Sequence, residues 1–213
     1  MNNSIENSTV VDNIQNIFPE PIYRVSLRNP TKKELKYIKS LDKTNNRGNK
    51  LSKKNYVLQE PKLSFLKEDI LTHLKQFYQV VSQHPPETGL RITQSWCNYT
   101  KEDQFHHPHL HPNSIISGVY YPQAEEDVDR ILFHKNMWHQ NHRVDATTHN
   151  LWNSETWWFP VKTGDLILFN SSLRHEVPRK EKSKKQRISL SFNTFHTGVI
   201  GHRDALTEVI FDE

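Results

Sequence analysis

The hydrophobic period of this chain changes once, near residue 90, and that change limits the folds open to it. Before it, Leu66, Ile70, Leu71, Leu74, Phe77, Tyr78 and Val81 recur three and four residues apart, the spacing of one helix face. A helix over about 63–83 is predicted, with its stripe on a core. "QHPPETG" ends it, because proline cannot continue a helix. After residue 90 no helical period returns. Short runs of β-branched and aromatic residues alternate with polar loops, giving candidate strands at 91–99, 115–121, 130–134, 156–161, 165–170 and 187–195. "KTGD" at 162–165 is a turn signal between two of them.

The N-terminal part supports this β half. Residues 1–16 are polar, rich in Asn and Ser, and read as flexible. "IFPEPIYRVSL" reads as a short strand, with Pro19 and Pro21 marking a sheet edge. Thr31 and Glu34 form a capping-box pattern, and Leu35, Ile38 and Leu41 follow at helical spacing, so a second helix is predicted over about 31–42. "NNRGNKLSKK" reads as a loop. The expected architecture is mainly β with N-terminal helices. A strand and two supporting helices fill 17–90, and a sandwich or jelly roll fills 91–200, within one domain over 17–213.

Hydrophobic residues make up 34% of the sequence, so the core must be economical. No run approaches the ~20 apolar residues of a membrane span, and the N-terminus has no basic start followed by an apolar stretch, so no secretory signal is expected. Cys97 is the single cysteine. It leaves no disulfide within the chain, and a cytoplasmic location is expected. The net charge of +4 is concentrated at 32–54 and in "RKEKSKKQR" at 179–187. The second cluster reads first as a solvated loop and second as a contact for an acidic partner. No nucleic-acid motif accompanies either. A homodimer is left open.

The chemistry lies in "HHPHLHPNSIISGVYY" at 106–121, where His106, His107, His109 and His111 fall within six positions. Alternate residues of an extended chain share a face, so His107, His109 and His111 point one way and His106 faces away into solvent. Neutral imidazole suits iron, zinc and copper. Far downstream, "GDLILFNSSLRHEVP" sets His175 just after an apolar strand. Two ligands close together and one distant is an arrangement a jelly roll can gather on one ion. In "RISLSFN", Arg187 and Ser189 lie two apart and share a face. An arginine turned into a barrel needs an anion, and its fork matches a carboxylate.

Together, "SWCNYTKEDQFHHPHLHPNSIISGVYY", "WWFPVKTGDLILFNSSLRHEVP" and "RISLSFNTF" resemble the Fe(II)- and 2-oxoglutarate-dependent oxygenases of the double-stranded β-helix fold. The likeness is narrowest to a prolyl-hydroxylase-like subgroup common in marine bacteria and their phages. The resemblance implies Fe(II) as metal and 2-oxoglutarate as cosubstrate, with its oxidative decarboxylation coupled to hydroxylation of a substrate. It places the metal pair on His109 and His111, with His107 and His109 as the other register, and the distal ligand on His175. It places the far carboxylate of 2-oxoglutarate on Arg187, with Ser189 and Tyr121 beside it, and the keto-acid end near Tyr99. His111 stands where most of the family carries a carboxylate, which leaves the metal more positive by one charge.

The substrate class stays open between protein, peptide and small molecule. The segment 122–155, with His134, Trp138, His139, His142, His149 and Trp152, reads as a polar loop framing the barrel mouth. Two other readings accompany the oxygenase one. One is a non-catalytic metal-binding jelly roll, such as a phage structural or assembly protein. The other is a three-histidine cupin-type enzyme that does not use 2-oxoglutarate.

Overall fold

The computed structural model describes residues 14–135, 146–181 and 185–211. Strand β1 (Ile22–Ser26) leads into helix α1 (Lys32–Ser40), then a hairpin of β2 (Lys43–Asn45) and β3 (Lys50–Ser52), then helix α2 (Ser64–Ser82). The β half follows: β4 (Thr88–Thr100), β5 (His106–His109), β6 (Ile116–Gln123), β7 (Arg130–His134), β8 (Thr156–Pro160), β9 (Asp165–Asn170), β10 (His175–Val177), β11 (Arg187–Ile200) and β12 (Val209–Phe211).

Local chemistry explains both helices. Thr31 accepts from the Glu34 backbone N–H and Glu34 accepts from that of Thr31, so the predicted capping box starts α1. Leu66, Ile70 and Leu74 of α2 are buried, each contributing roughly 1.5–3 kcal/mol by leaving water. α2 ends at Gln83, whose left-handed backbone (φ 46°) turns the chain just before the prolines.

The strands form two antiparallel sheets in a jelly roll. The larger runs β1–β9–β6–β11–β4–β3–β2, with β12 pairing beside β11. The smaller runs β5–β10–β7–β8. β1 lies at the end of the larger sheet, the edge position that its prolines predicted. One core lies between the helices and the outer face of the larger sheet and joins Ile38, Leu66, Ile70 and Leu74 to Tyr99, Tyr120, Leu190 and Phe192. The other lies between the sheets and holds Val119, Tyr121, Ile131, Phe133, Ile167 and Phe169. Since Leu190 and Phe192 face the helices, strand alternation turns Arg187, Ser189, Ser191 and Asn193 of β11 inward. The glycine of "SGVYY" has a packing reason: a Cβ on Gly118 would lie 2.1 Å from the Phe192 ring.

The six predicted strands all form, with β4 and β11 longer than expected. The structure corrects the loop predicted at "NNRGNKLSKK", which contains the β2–β3 hairpin. β5, β10 and β12 had no forecast as separate strands.

Candidate metal centre

The smaller sheet brings the distant histidines together. β5 and β10 are antiparallel, and His109 lies directly opposite His175. His111 sits beyond the end of β5, anchored by its backbone N–H donating to the Ser171 carbonyl at 3.0 Å. Potential ligand atoms of His109, His111 and His175 all lie within 4.8 Å of one another. His111 Nε2 and His175 Nε2 are 3.2 Å apart. Two nitrogens at right angles about 2.1 Å from one ion would be about 3 Å apart, so the spacing fits a shared ion.

The tautomers suit the same task. A carbonyl can only accept, so His175 Nδ1 donates its proton to the Leu173 carbonyl at 3.0 Å, and His109 Nδ1 donates to the His107 carbonyl at 2.8 Å. Each leaves Nε2 with a free lone pair, in the ring orientation that ligating histidines use. Burial is the main cause that keeps these rings neutral. It holds His111 down to about 4, lowers His109, and sets His175 well below the usual histidine value, with neighbouring imidazoles acting in the same direction. A side-chain hydrogen bond with Asn193 partly opposes this at His111.

His106 corrects the expectation that it faces solvent. Its ring stacks on His109 with centroids 4.4 Å apart. Burial first, then His109, His107 and Arg187, push it down to about 3. His106, His107 and His109 form a second group with ligand atoms in mutual reach, sharing His109 with the first. The His107 Nδ1 atom is buried without a hydrogen-bond partner.

Arg187 is 2% exposed and donates through Nη2 to Thr100 Oγ1 at 3.0 Å. Burial lowers its affinity for a proton, while Asp129 and then Tyr121 raise it. Tyr121 is buried in the inter-sheet core beside this guanidinium. Ser189 is buried on the inward face. Tyr99 is a correction. It packs in the helix-side core and donates its hydroxyl to the Ile38 carbonyl at 2.6 Å, so it is turned away from the histidines.

Sequence reasoning missed several residues here. Thr100, Asp129 and Lys180 meet around Arg187. Asn98 donates to Ser191 and leaves its Oδ1 buried without a partner. Lys180 overturns the reading of 179–187 as wholly solvated, because its side chain is 1% exposed and paired with Asp129. Trp138, His139 and His142 of the loop at 122–155 lie outside the described residues. Among the described residues, His134 and His149 join no metal-competent group.

Residues 94–193 match the family model described as "Putative 2OG-Fe(II) oxygenase". No curated protein matches the chain. Among solved structures, an oxidoreductase of the 2OG-Fe(II) oxygenase family from Burkholderia pseudomallei is similar at 16% identity and TM-score 0.53, covering 81% of this chain and 83% of that one. HygX from Streptomyces hygroscopicus, with nickel and 2-oxoglutarate bound, is similar at 12% identity and TM-score 0.53, covering 82% of each chain. The 2-oxoglutarate-dependent epimerase SnoN of nogalamycin biosynthesis is similar at 10% identity and TM-score 0.56, covering 84% of this chain and 81% of that one. Those structures share the fold, and the sequence match covers the strands that carry the histidines and Arg187. Residues 94–193 thus match the 2OG-Fe(II) oxygenase family model, and the chain shares the fold of solved 2OG-Fe(II) oxygenases.

Proposed function

We propose that His109, His111 and His175 hold Fe(II), that Arg187 binds the far carboxylate of 2-oxoglutarate, and that the enzyme hydroxylates a substrate bound at the barrel mouth. The observation that carries this reading is the His109–His175 cross-strand pair, whose Nδ1 protons are both engaged by backbone carbonyls. Such rings are already aimed, neutral and ready to ligate. The metal with its cosubstrate, when bound, supplies oxidative decarboxylation and hydroxylation chemistry. The chain's own part is orientation and charge. Arg187 and Thr100 offer a carboxylate a buried cation and a hydroxyl, and Ser189 adds a second hydroxyl from the same inward face. Tyr121 covers the Arg187 end with apolar surface, and Phe169 packs on His175 at the metal end. The buried Asn98 and Ser191 and the half-buried Asn193 lie on the same inward face and give a cosubstrate or substrate further hydrogen-bond partners.

The buried Arg187 also favours this reading over a structural metal site, which needs no partner for a carboxylate. It likewise disfavours a cupin-type enzyme indifferent to 2-oxoglutarate. Fe(II) and 2-oxoglutarate added without oxygen are expected to give a weak visible charge-transfer band. His175→Ala abolishes it, and Arg187→Ala raises the 2-oxoglutarate concentration needed to reach it. A chain that shows no band, and no 2-oxoglutarate binding by calorimetry, is not an oxygenase of this kind.

A further inference from the structure

We propose that the buried Lys180–Asp129 pair tunes the carboxylate site at Arg187, with Lys180 a positioning residue that holds the charge of Asp129 away from the guanidinium. This rests on the reading of Arg187 as the partner of the far carboxylate.

Asp129 Oδ1 lies 2.8 Å from Lys180 Nζ and 3.9 Å from Arg187 Nη1. All three side chains are within 3% of full burial. Neither member of the pair is free to swing. Asp129 Oδ2 accepts from the Glu125 N–H at 2.9 Å, and the Asp129 carbonyl accepts from Val161 N–H at 3.0 Å. Lys180 donates its backbone N–H to Gln104 and accepts from the Asp103 N–H. A buried ion pair is often no more stable than an apolar pair of similar volume, so its place beside Arg187 points to a role other than packing.

The charges supply that role. Arg187 and Lys180 bring two cations and Asp129 one anion, a net surplus of one. Glu125 reaches Lys180 at 3.4 Å, but its side chain is 32% exposed and screened by water. Asp129 leans to the lysine, and the hydrogen bond from Arg187 goes to the neutral Thr100 hydroxyl. The surplus therefore falls on the guanidinium, and a second carboxylate completes the balance. Without Lys180, Asp129 would be left to pair with Arg187 and compete with that carboxylate.

The test is calorimetry on the full chain, loaded with Co(II), with 2-oxoglutarate and with 2-oxobutyrate. The latter has the same chelating end and no far carboxylate. K180M is expected to weaken 2-oxoglutarate binding about tenfold, the scale of one charge coupling. D129N is expected to bind at least as tightly as the wild type, and the K180M/D129N double variant to recover to within about threefold of it. Affinity for Co(II) and for 2-oxobutyrate should stay unchanged in all three. A packing role predicts instead that both single variants weaken both ligands, and that pattern overturns the proposal. So does K180M binding 2-oxoglutarate like the wild type. If K180M does not fold, D129N decides alone, since weakened binding there has the wrong sign. A wild-type chain that binds Co(II) but not 2-oxoglutarate overturns the reading of Arg187 and this proposal with it.

Discussion

At the scale of single residues, two histidine triads compete for His109, and hydrogen bonding separates them. His109 is aimed by the carbonyl of His107, not by its ring. His107→Ala keeps that carbonyl and removes a ring whose Nδ1 has no partner. It is therefore expected to leave Co(II) affinity close to the wild type. His111→Ala removes a nitrogen 3.2 Å from His175 Nε2. It should weaken Co(II) by at least about tenfold, the lower end of what losing even an outer-shell partner costs. A Co(II) titration in which His107→Ala loses the metal and His111→Ala keeps it would reverse the assignment. The sequence offered both registers, with His109 and His111 preferred over His107 and His109, and the fold keeps a histidine group of each kind in mutual reach. The role of His106 was not legible. Strand alternation sends it outward, but the β5–β10 register shifts between His175 and Val177. His106 stacks on His109 as a result. Tyr99 shows the converse: alternation opposite Arg187–Thr100 sends it to the helices, and only the strand pairing reveals which parity applies.

At the scale of elements, α1 is held by a junction that the sequence half revealed. Thr31 and Glu34 were readable as a cap, but the partner of Glu34 was not. Arg28 grips Glu34 with two hydrogen bonds of 2.8 Å and reaches Asp69 of α2 at 3.2 Å, tying the end of β1 to both helices. The Arg28 fork, the largest influence, holds the Glu34 carboxyl below the usual glutamate range, against a burial effect that raises it. Glu34→Gln keeps the size and loses the charge, so it is expected to cost about 1–3 kcal/mol at pH 7. The sign follows from the depressed value. The stabilisation is present above the ordinary glutamate range and is lost as the pH falls through the folded-state value. Urea midpoints should therefore differ between wild type and variant at pH 7 and converge in acid. A difference that persists undiminished at low pH would show that the junction works through packing instead. The helices were legible because a 3.6-residue stripe needs no partner to be seen. β5 and β10 were not, since "HHPH" and "HEV" turn histidine rather than aliphatic residues to the interior. The β2–β3 hairpin was hidden for a similar reason, as its short strands are polar at every position but Leu51.

At the scale of the whole molecule, the site exists because the sheet order is out of sequence. β11 lies between β4 and β6, and β9 between β6 and β1. Arg187 is thereby placed opposite Thr100 in the large sheet while His175 meets His109 in the small one. No local pattern encodes that order, so the ligand types can be read along the chain but their positions come from the strand pairing. The two halves of the site then sit on different sheets that only the folded chain brings face to face, and ligands should stabilise the fold through both. A ligand present at a hundredfold over its Kd adds about 2.7 kcal/mol, which for a chain of this size raises Tm by roughly 5–11 °C. Co(II) alone should give such a rise, because three neutral imidazoles from both β5–β10 and the segment after β5 converge on it. 2-Oxoglutarate should add a second rise only when the metal is present, since its keto-acid end has no other anchor. His175→Ala should remove both rises. Arg187→Ala should keep the metal's and shrink the cosubstrate's. Scanning calorimetry with and without a chelator separates these cases, and a 2-oxoglutarate rise of full size in the chelated protein would mean that it binds somewhere other than between the histidines and Arg187.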